Sequence, residues 1–272
     1  MNNARLIDMH SHSDNSPDGV HSPMYMCEQA VANGLRALAI TDHCEIDKFI
    51  EQRYSSTLFH SYFECSKARN AFEGQLLVLL GVEIGQPLVN LHLCENILAK
   101  YPYDFVLGSV HTPRGMTQDI KEIDYTKIDV YEFMNNYFDE LTEIAEWDGC
   151  DCLAHITCPL RHIKGRYKID FDFNKVSDSL DRLLKAIIDN GKSLEVNTSG
   201  LRQPLGLTMP DVPIIRRYRE LGGKYITIGS DAHSANEVGL GIVECMQTVK
   251  KYGFDKINFY TGREILEINN NV

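Results

Sequence analysis

The stretch "IDMHSHSDNSPDG", residues 7–19, sets His10 and His12 one residue apart, with Asp8, Asp14 and Asp18 around them. A related pattern returns late in the chain, where "IGSDAHS" pairs Asp231 with His233. Side chains at i and i+2 of an extended strand share a face, so each pair presents two donors in one direction. Between these pairs, "ALAITDH" delivers His43, "LLGVEIG" delivers Glu83, "VLGSVH" delivers His111 and "CLAHI" delivers His155. A single histidine at a strand end is ordinarily a hydrogen-bonded structural residue. Six of them, gathered with a glutamate and an aspartate, could not stay unpaired at tolerable cost. Metal ions resolve that cost. Imidazole and carboxylate donors suit zinc, iron or manganese, and one glutamate can bridge two ions.

The elements that must position these donors are short apolar runs alternating with helical segments. Strands are expected at 6–9, 35–40, 76–82, 105–110, 152–154, 193–196 and 225–228, most of them aliphatic or β-branched and bounded by Gly, Asn or Asp. Helices are expected at 22–33, where Ser22 precedes Pro23, at 130–147 and at 180–190, and around Asp211 to Leu221. Repeated strand–helix units imply parallel strands joined by right-handed crossovers. The chain therefore reads as one α/β domain over 1–272, a closed or nearly closed (β/α)7 barrel whose strands converge at their C-terminal ends. Asp18 also fits a plain turn, since "SPDG" has Pro17 and Gly19 at turn positions. Asp42 faces away from the His43 side, and Asp8 lies one layer deeper, where it could orient a ligand.

Composition narrows the class. With 27 basic and 38 acidic residues the formal charge is −11, which disfavours long nucleic acid as a partner. The eight cysteines form no CxxC pair, and the few residues before Asp8 are too short for a secretory signal. No apolar run approaches the ~18 residues a membrane span requires. These features predict a cytoplasmic protein with reduced thiols.

From "DMHSHSDNSPDG" to "GSDAHS", nearly the whole chain resembles the polymerase-and-histidinol-phosphatase superfamily of metal phosphoesterases. Within it, "LEVNTSGLRQP" and the length resemble the histidinol-phosphate phosphatase branch of histidine biosynthesis. The resemblance implies a distorted seven-stranded barrel holding three divalent ions. His10, His12, Glu83 and Asp231 would hold one. Glu83 would bridge to a second, completed by His111 and His155, and Asp18, His43 and His233 would hold the third. Some relatives carry histidine where this chain has Asp18. The implied reaction is hydrolysis of a small phosphate monoester, L-histidinol phosphate, with Asp231, His233 and Glu83 as the catalytic side chains.

Phosphate oxygens suit the paired donors of guanidinium. Arg202 is the first choice and Arg161 the second, while Arg166 and Arg114 read as loop charges. Glu45 and Asp47 are acidic candidates for the substrate's amine and imidazole. The alternative keeps the site and changes the ester, to a nucleoside bisphosphate for example. A deaminase of the amidohydrolase type also begins with H-x-H, but "TDH" and "GVE" fit it poorly.

Overall fold

The computed structural model describes residues 6–271. Eight parallel strands build the main sheet: β1 (Leu6–Asp8), β2 (Leu35–Ile40), β3 (His43–Glu45), β4 (Leu77–Gly85), β5 (Phe105–Ser109), β6 (Cys152–Leu153), β7 (Ser193–Asn197) and β8 (Ile226–Gly229). Their order is β1-β2-β4-β5-β6-β7-β8, with β3 continuing the line of β2 beside the second half of β4. Past the ends of β1 and β8 the backbone pairs again. His10 carbonyl accepts from Asp231 N–H at 2.8 Å, and His12 N–H donates to the Ala232 carbonyl at 2.8 Å. These bonds close the sheet into the expected barrel and bring both i, i+2 pairs of the sequence into one register.

Helices cover the outside: α1 (Pro23–Ala32), α2 (Tyr54–Ala71), α3 (Leu91–Lys100), α4 (Val130–Glu146), α5 (Ser177–Asp189), α6 (Val212–Glu220) and α7 (Ile242–Lys251). In α4 the residues Phe133, Tyr137, Leu141 and Ile144 are buried at helical spacing, and Asp129 caps the N–H groups of Tyr131 and Glu132. Residues of that size each contribute roughly 1.5–3 kcal/mol when withdrawn from water. Three helices were not anticipated. In α2 the buried row is Tyr54, Leu58, Ser61, Cys65 and Ala68, so half the stripe is small or polar and the periodicity is faint.

A C-terminal antiparallel hairpin, β9 (Lys256–Thr261) and β10 (Glu264–Asn269), was also missed. It plugs the end of the barrel opposite the histidines. Tyr260 hydroxyl bonds the Ser193 hydroxyl and the Asp151 carbonyl, and Asn258 accepts from Ile226 N–H, all at strand starts. The mouth is thereby the one end left for chemistry. Among the described residues, no helix is long and apolar enough to cross a membrane.

Candidate metal centre

Glu83 lies at the middle of the mouth, fully buried, three residues beyond the last β2–β4 pair, Ile40 with Leu80, on a strand that continues to Gly85. It is the direct parallel-strand partner of His43, which explains their 3.0 Å approach (Nδ1 to Oε2). His155 Nε2 stands 3.0 Å from Oε1 and His111 Nε2 3.4 Å from it. His10 and His12 approach Oε2 with their Nε2 atoms at 3.4 and 3.5 Å. Five imidazoles thus surround one carboxylate, yet neither of its oxygens has a hydrogen-bond partner.

Around this hub the other candidates gather. His12 Nε2 lies 3.4 Å from Asp231 Oδ1, and its ring stacks between those of His43 and His233. Asp18 Oδ1 stands 3.6 Å from His43 Nε2 and 3.5 Å from His233 Nε2. All nine sequence-predicted donors meet at one mouth. Three overlapping triads have donor atoms within 4.8 Å of one another: His12, His43 and His233; His10, His12 and Glu83; His43, Glu83 and His111.

The electrostatics match. Burial alone would raise the Glu83 and Asp231 carboxyls, but the imidazoles, and Arg161 beside Asp231, hold both well below the usual range. Asp18, whose side chain is half exposed, is lowered too, by His233 and His43 against its partial desolvation. Burial opposes a charge on His43, yet Glu83 and Glu45 push it up to about 10. His12 goes the other way, lowered by burial and by the flanking His43 and His233. The carboxylates therefore stay ionised, as metal ligands must be. A buried carboxylate with both oxygens unpartnered is costly unless a cation meets it. The donor set and the orphaned oxygens of Glu83 fit divalent metal ions.

An outer layer fixes the ring orientations. Glu195, which sequence reasoning passed over, accepts from His10 Nδ1 at 2.6 Å and from His155 N–H at 2.7 Å. Its signal was a charged residue inside the apolar strand "SLEVN", fully buried. Ser16 contacts His12 Nδ1 at 3.3 Å and donates to Asp42, which also binds Ser13 and Ser61. Asp8 holds backbone, accepting from the N–H groups of His10, Ser230 and Gly239, not from an imidazole. Gly229 has no side chain because a Cβ there would collide with His10 and Glu195. His155 and Asp231 sit at φ +28° and +52°, a strained region for residues with side chains that is frequent at functional sites.

Three expectations for substrate contact, at Glu45, Asp47 and Arg202, need revision, while Arg166 and Arg114 are the loop charges expected. Glu45 faces the metal centre's histidines, accepting from His111 Nδ1 at 2.9 Å and from Gln86, so it orients ligands. Asp47 is occupied by the same Gln86 amide and does not line the cavity. Arg202 donates to the carbonyls of Ser230 and Asp231 and to Glu237, away from the cavity wall. Its guanidinium braces the turn that carries Asp231 and His233. Arg166 donates to the Lys121 carbonyl, and Arg114 forms a paired contact with Glu143 on the surface. Arg161 does line the cavity, a space of about 160 Å³ above Glu83. It donates to Ser199 at 2.7 Å and Asp231 at 3.3 Å, and its Nε has no partner.

Comparison with known proteins agrees with this architecture. A probable histidinol-phosphatase of Clostridium acetobutylicum is 29% identical over 93% of this chain and 96% of its own. The histidinol-phosphatase of Lactococcus lactis is 26% identical over 96% of each. The crystal structure of histidinol phosphate phosphatase from L. lactis, complexed with zinc, L-histidinol and phosphate, has the same fold, with a TM-score of 0.79 at 23% identity over 96% of this chain and 99% of that one. The family model for the PHP domain matches residues 8–199, a span that takes in the His10–His12 pair, Glu83, His111, His155 and Glu195; the chain belongs to the PHP domain family.

Proposed function

We propose that this chain, one barrel domain over 1–272, hydrolyses L-histidinol phosphate to L-histidinol and inorganic phosphate with three divalent ions. The observation that carries the metal-dependent reading is the Glu83 carboxylate, buried among five imidazoles with neither oxygen hydrogen-bonded. The choice of substrate is supported by full-length relatives bearing the name histidinol-phosphatase. His10, His12, Glu83 and Asp231 would hold one ion, Glu83 with His111 and His155 a second, and Asp18, His43 and His233 a third. Bound there, such ions supply Lewis acidity, which makes water nucleophilic near neutral pH and offsets charge on phosphoryl oxygens.

The chain's own side chains do the rest. Arg161 lines the cavity wall, and its guanidinium can hold a phosphoryl oxygen as charge grows in the transition state. Glu195 and Glu45 keep the rings of His10 and His111 turned with Nε2 toward Glu83. Asp231, on the cavity wall and held ionised by the imidazoles and Arg161, can accept a proton but not supply one, so the proton for the leaving alkoxide enters from His233 or from water in the cavity. The test is phosphate release from L-histidinol phosphate before and after chelation, beside a nucleoside 3′,5′-bisphosphate. Release that chelation abolishes and zinc or manganese restores is expected. Faster release from the bisphosphate would replace the substrate, and release that survives metal removal would overturn the mechanism.

A further inference from the structure

The carboxylates that line the cavity can be sorted by what they already hold. Asp18 faces His43 and His233, Asp231 faces His12 and Arg161, and Glu45 is engaged by His111 and Gln86. Asp119 is the remaining acid on the wall. It lies between β5 and α4, with its side chain 15% exposed. One oxygen accepts the N–H of Lys121 at 3.0 Å, a local turn bond. The other stands 3.8 Å from the Lys121 ammonium, which is 61% exposed. A loose pair with an exposed lysine holds little of the carboxylate's capacity.

The segment around Asp119 is held mainly by bonds other than the Asp119 turn bond to Lys121 N–H. Ile120 N–H donates to the His111 carbonyl at 2.8 Å, Tyr125 hydroxyl donates to the Ile120 carbonyl at 3.0 Å, and Arg166 donates to the Lys121 carbonyl at 3.3 Å. These bonds pin Asp119 beside the strand end that delivers His111. An alcohol portion carrying a protonated amine must find an anionic partner when it enters this space.

We infer that Asp119 is the specificity-determining carboxylate of the site, taking the ammonium group of an amino-alcohol phosphate whose phosphoryl end faces Arg161. The inference rests on the phosphomonoesterase reading above. Lys48 and Lys121 share the same rim, and His162 on the same wall feels the charge of Asp119 without a hydrogen bond to it, so Asp119 is where a cationic group gains an attractive partner that no histidine or arginine holds directly.

The test compares metal-loaded wild type with Asp119→Asn, which is nearly isosteric and keeps an acceptor for Lys121 N–H. The readout is the ratio of kcat/KM for L-histidinol phosphate to that for phenyl phosphate. Loss of one charge-assisted bond should lower that ratio about 10- to 100-fold, carried mainly in KM. An equal fall for both esters would reveal a loop-building role and overturn the inference, as would an unaltered ratio. If wild type cleaves phenyl phosphate but not L-histidinol phosphate, the proposed substrate fails on its own. The inference is then judged on 2-aminoethyl phosphate against ethyl phosphate. A preference for the amine that Asp119→Asn erases retains it; no preference overturns it.

Discussion

Replacing Glu195 by Gln exchanges one carboxylate oxygen for an NH2 and should disable the metal centre through a tautomer. In the native site one carboxylate oxygen accepts from His10 Nδ1 at 2.6 Å and the other from His155 N–H at 2.7 Å. With Nδ1–H committed to Glu195, the lone pair of His10 sits on Nε2, 3.4 Å from Glu83 Oε2. Glutamine offers one acceptor and one NH2. The His155 backbone N–H is a compulsory donor, so the amide oxygen must serve it, and the NH2 then meets His10 Nδ1. That contact favours Nδ1 as acceptor and moves the ring proton to Nε2, where a metal ligand needs a lone pair. Loss of such orienting partners typically costs 10- to 100-fold in metal affinity, or about 1.4–2.7 kcal/mol. The bulk of the residue is retained, so folding should change little. Chelator-competition titration of zinc or manganese, with thermal unfolding of the metal-free protein as control, measures both. Metal affinity within about twofold of wild type at an unchanged Tm would refute the tautomer argument.

Arg202→Ala should lower metal content and stability together, because three donors that brace the Ser230–Asp231 turn and Glu237 disappear; at about 1 kcal/mol each this is roughly 2–3 kcal/mol. A KM increase at full metal content and unchanged Tm would show instead that the guanidinium reaches phosphate. Gly229→Ala forces a Cβ against His10 and Glu195, and metal analysis should find the protein depleted even where circular dichroism reports a native fold. Glu83→Ala should abolish turnover and metal retention; turnover at normal metal content would locate the site elsewhere. His162 is lowered to about 4 by burial and by the nearby Arg161 and Arg166. Its unfolded form, with a pKa of about 6.5, binds the proton first, so stability falls as pH drops from about 6.5 toward 4. His162→Gln should flatten the Tm profile over that window, and an identical profile would discount the residue.

What the sequence disclosed follows from which interactions are local. The barrel strands were legible because each is an apolar run with punctuation at both ends, and the ligand candidates because they terminate those runs. The extension of β4 through Glu83 to Gly85 was underread, since "EIG" breaks the apolar pattern just where the strand continues into the site. Helix α2 was hidden because its exposed side carries Phe59 and Phe63 while its inner row includes Ser61 and Ala68. The C-terminal hairpin escaped because its partners are strand starts far away in the chain, as in the Tyr260–Asp151 bond.

The same distinction explains why the donors were legible and their orienting partners were not. His10 and His12 advertise themselves through a two-residue spacing, but Glu195 reaches His10 across 185 positions, and no one-dimensional pattern records that reach. Arg202 shows the converse. In "NTSGLRQP" it looked available for an anion, because an arginine after a strand end is aimed at ligand and at backbone with equal plausibility. Its acceptors are the carbonyls of Ser230 and Asp231, 28 and 29 residues on. Asp231 sits there at φ +52°, a conformation that surrounding bonds must hold in place. A strained ligand-bearing turn therefore needs a rigid multidentate donor beside it, and an arginine committed to that task has little left to offer a substrate. Arg161, whose side chain lines the cavity, keeps that capacity.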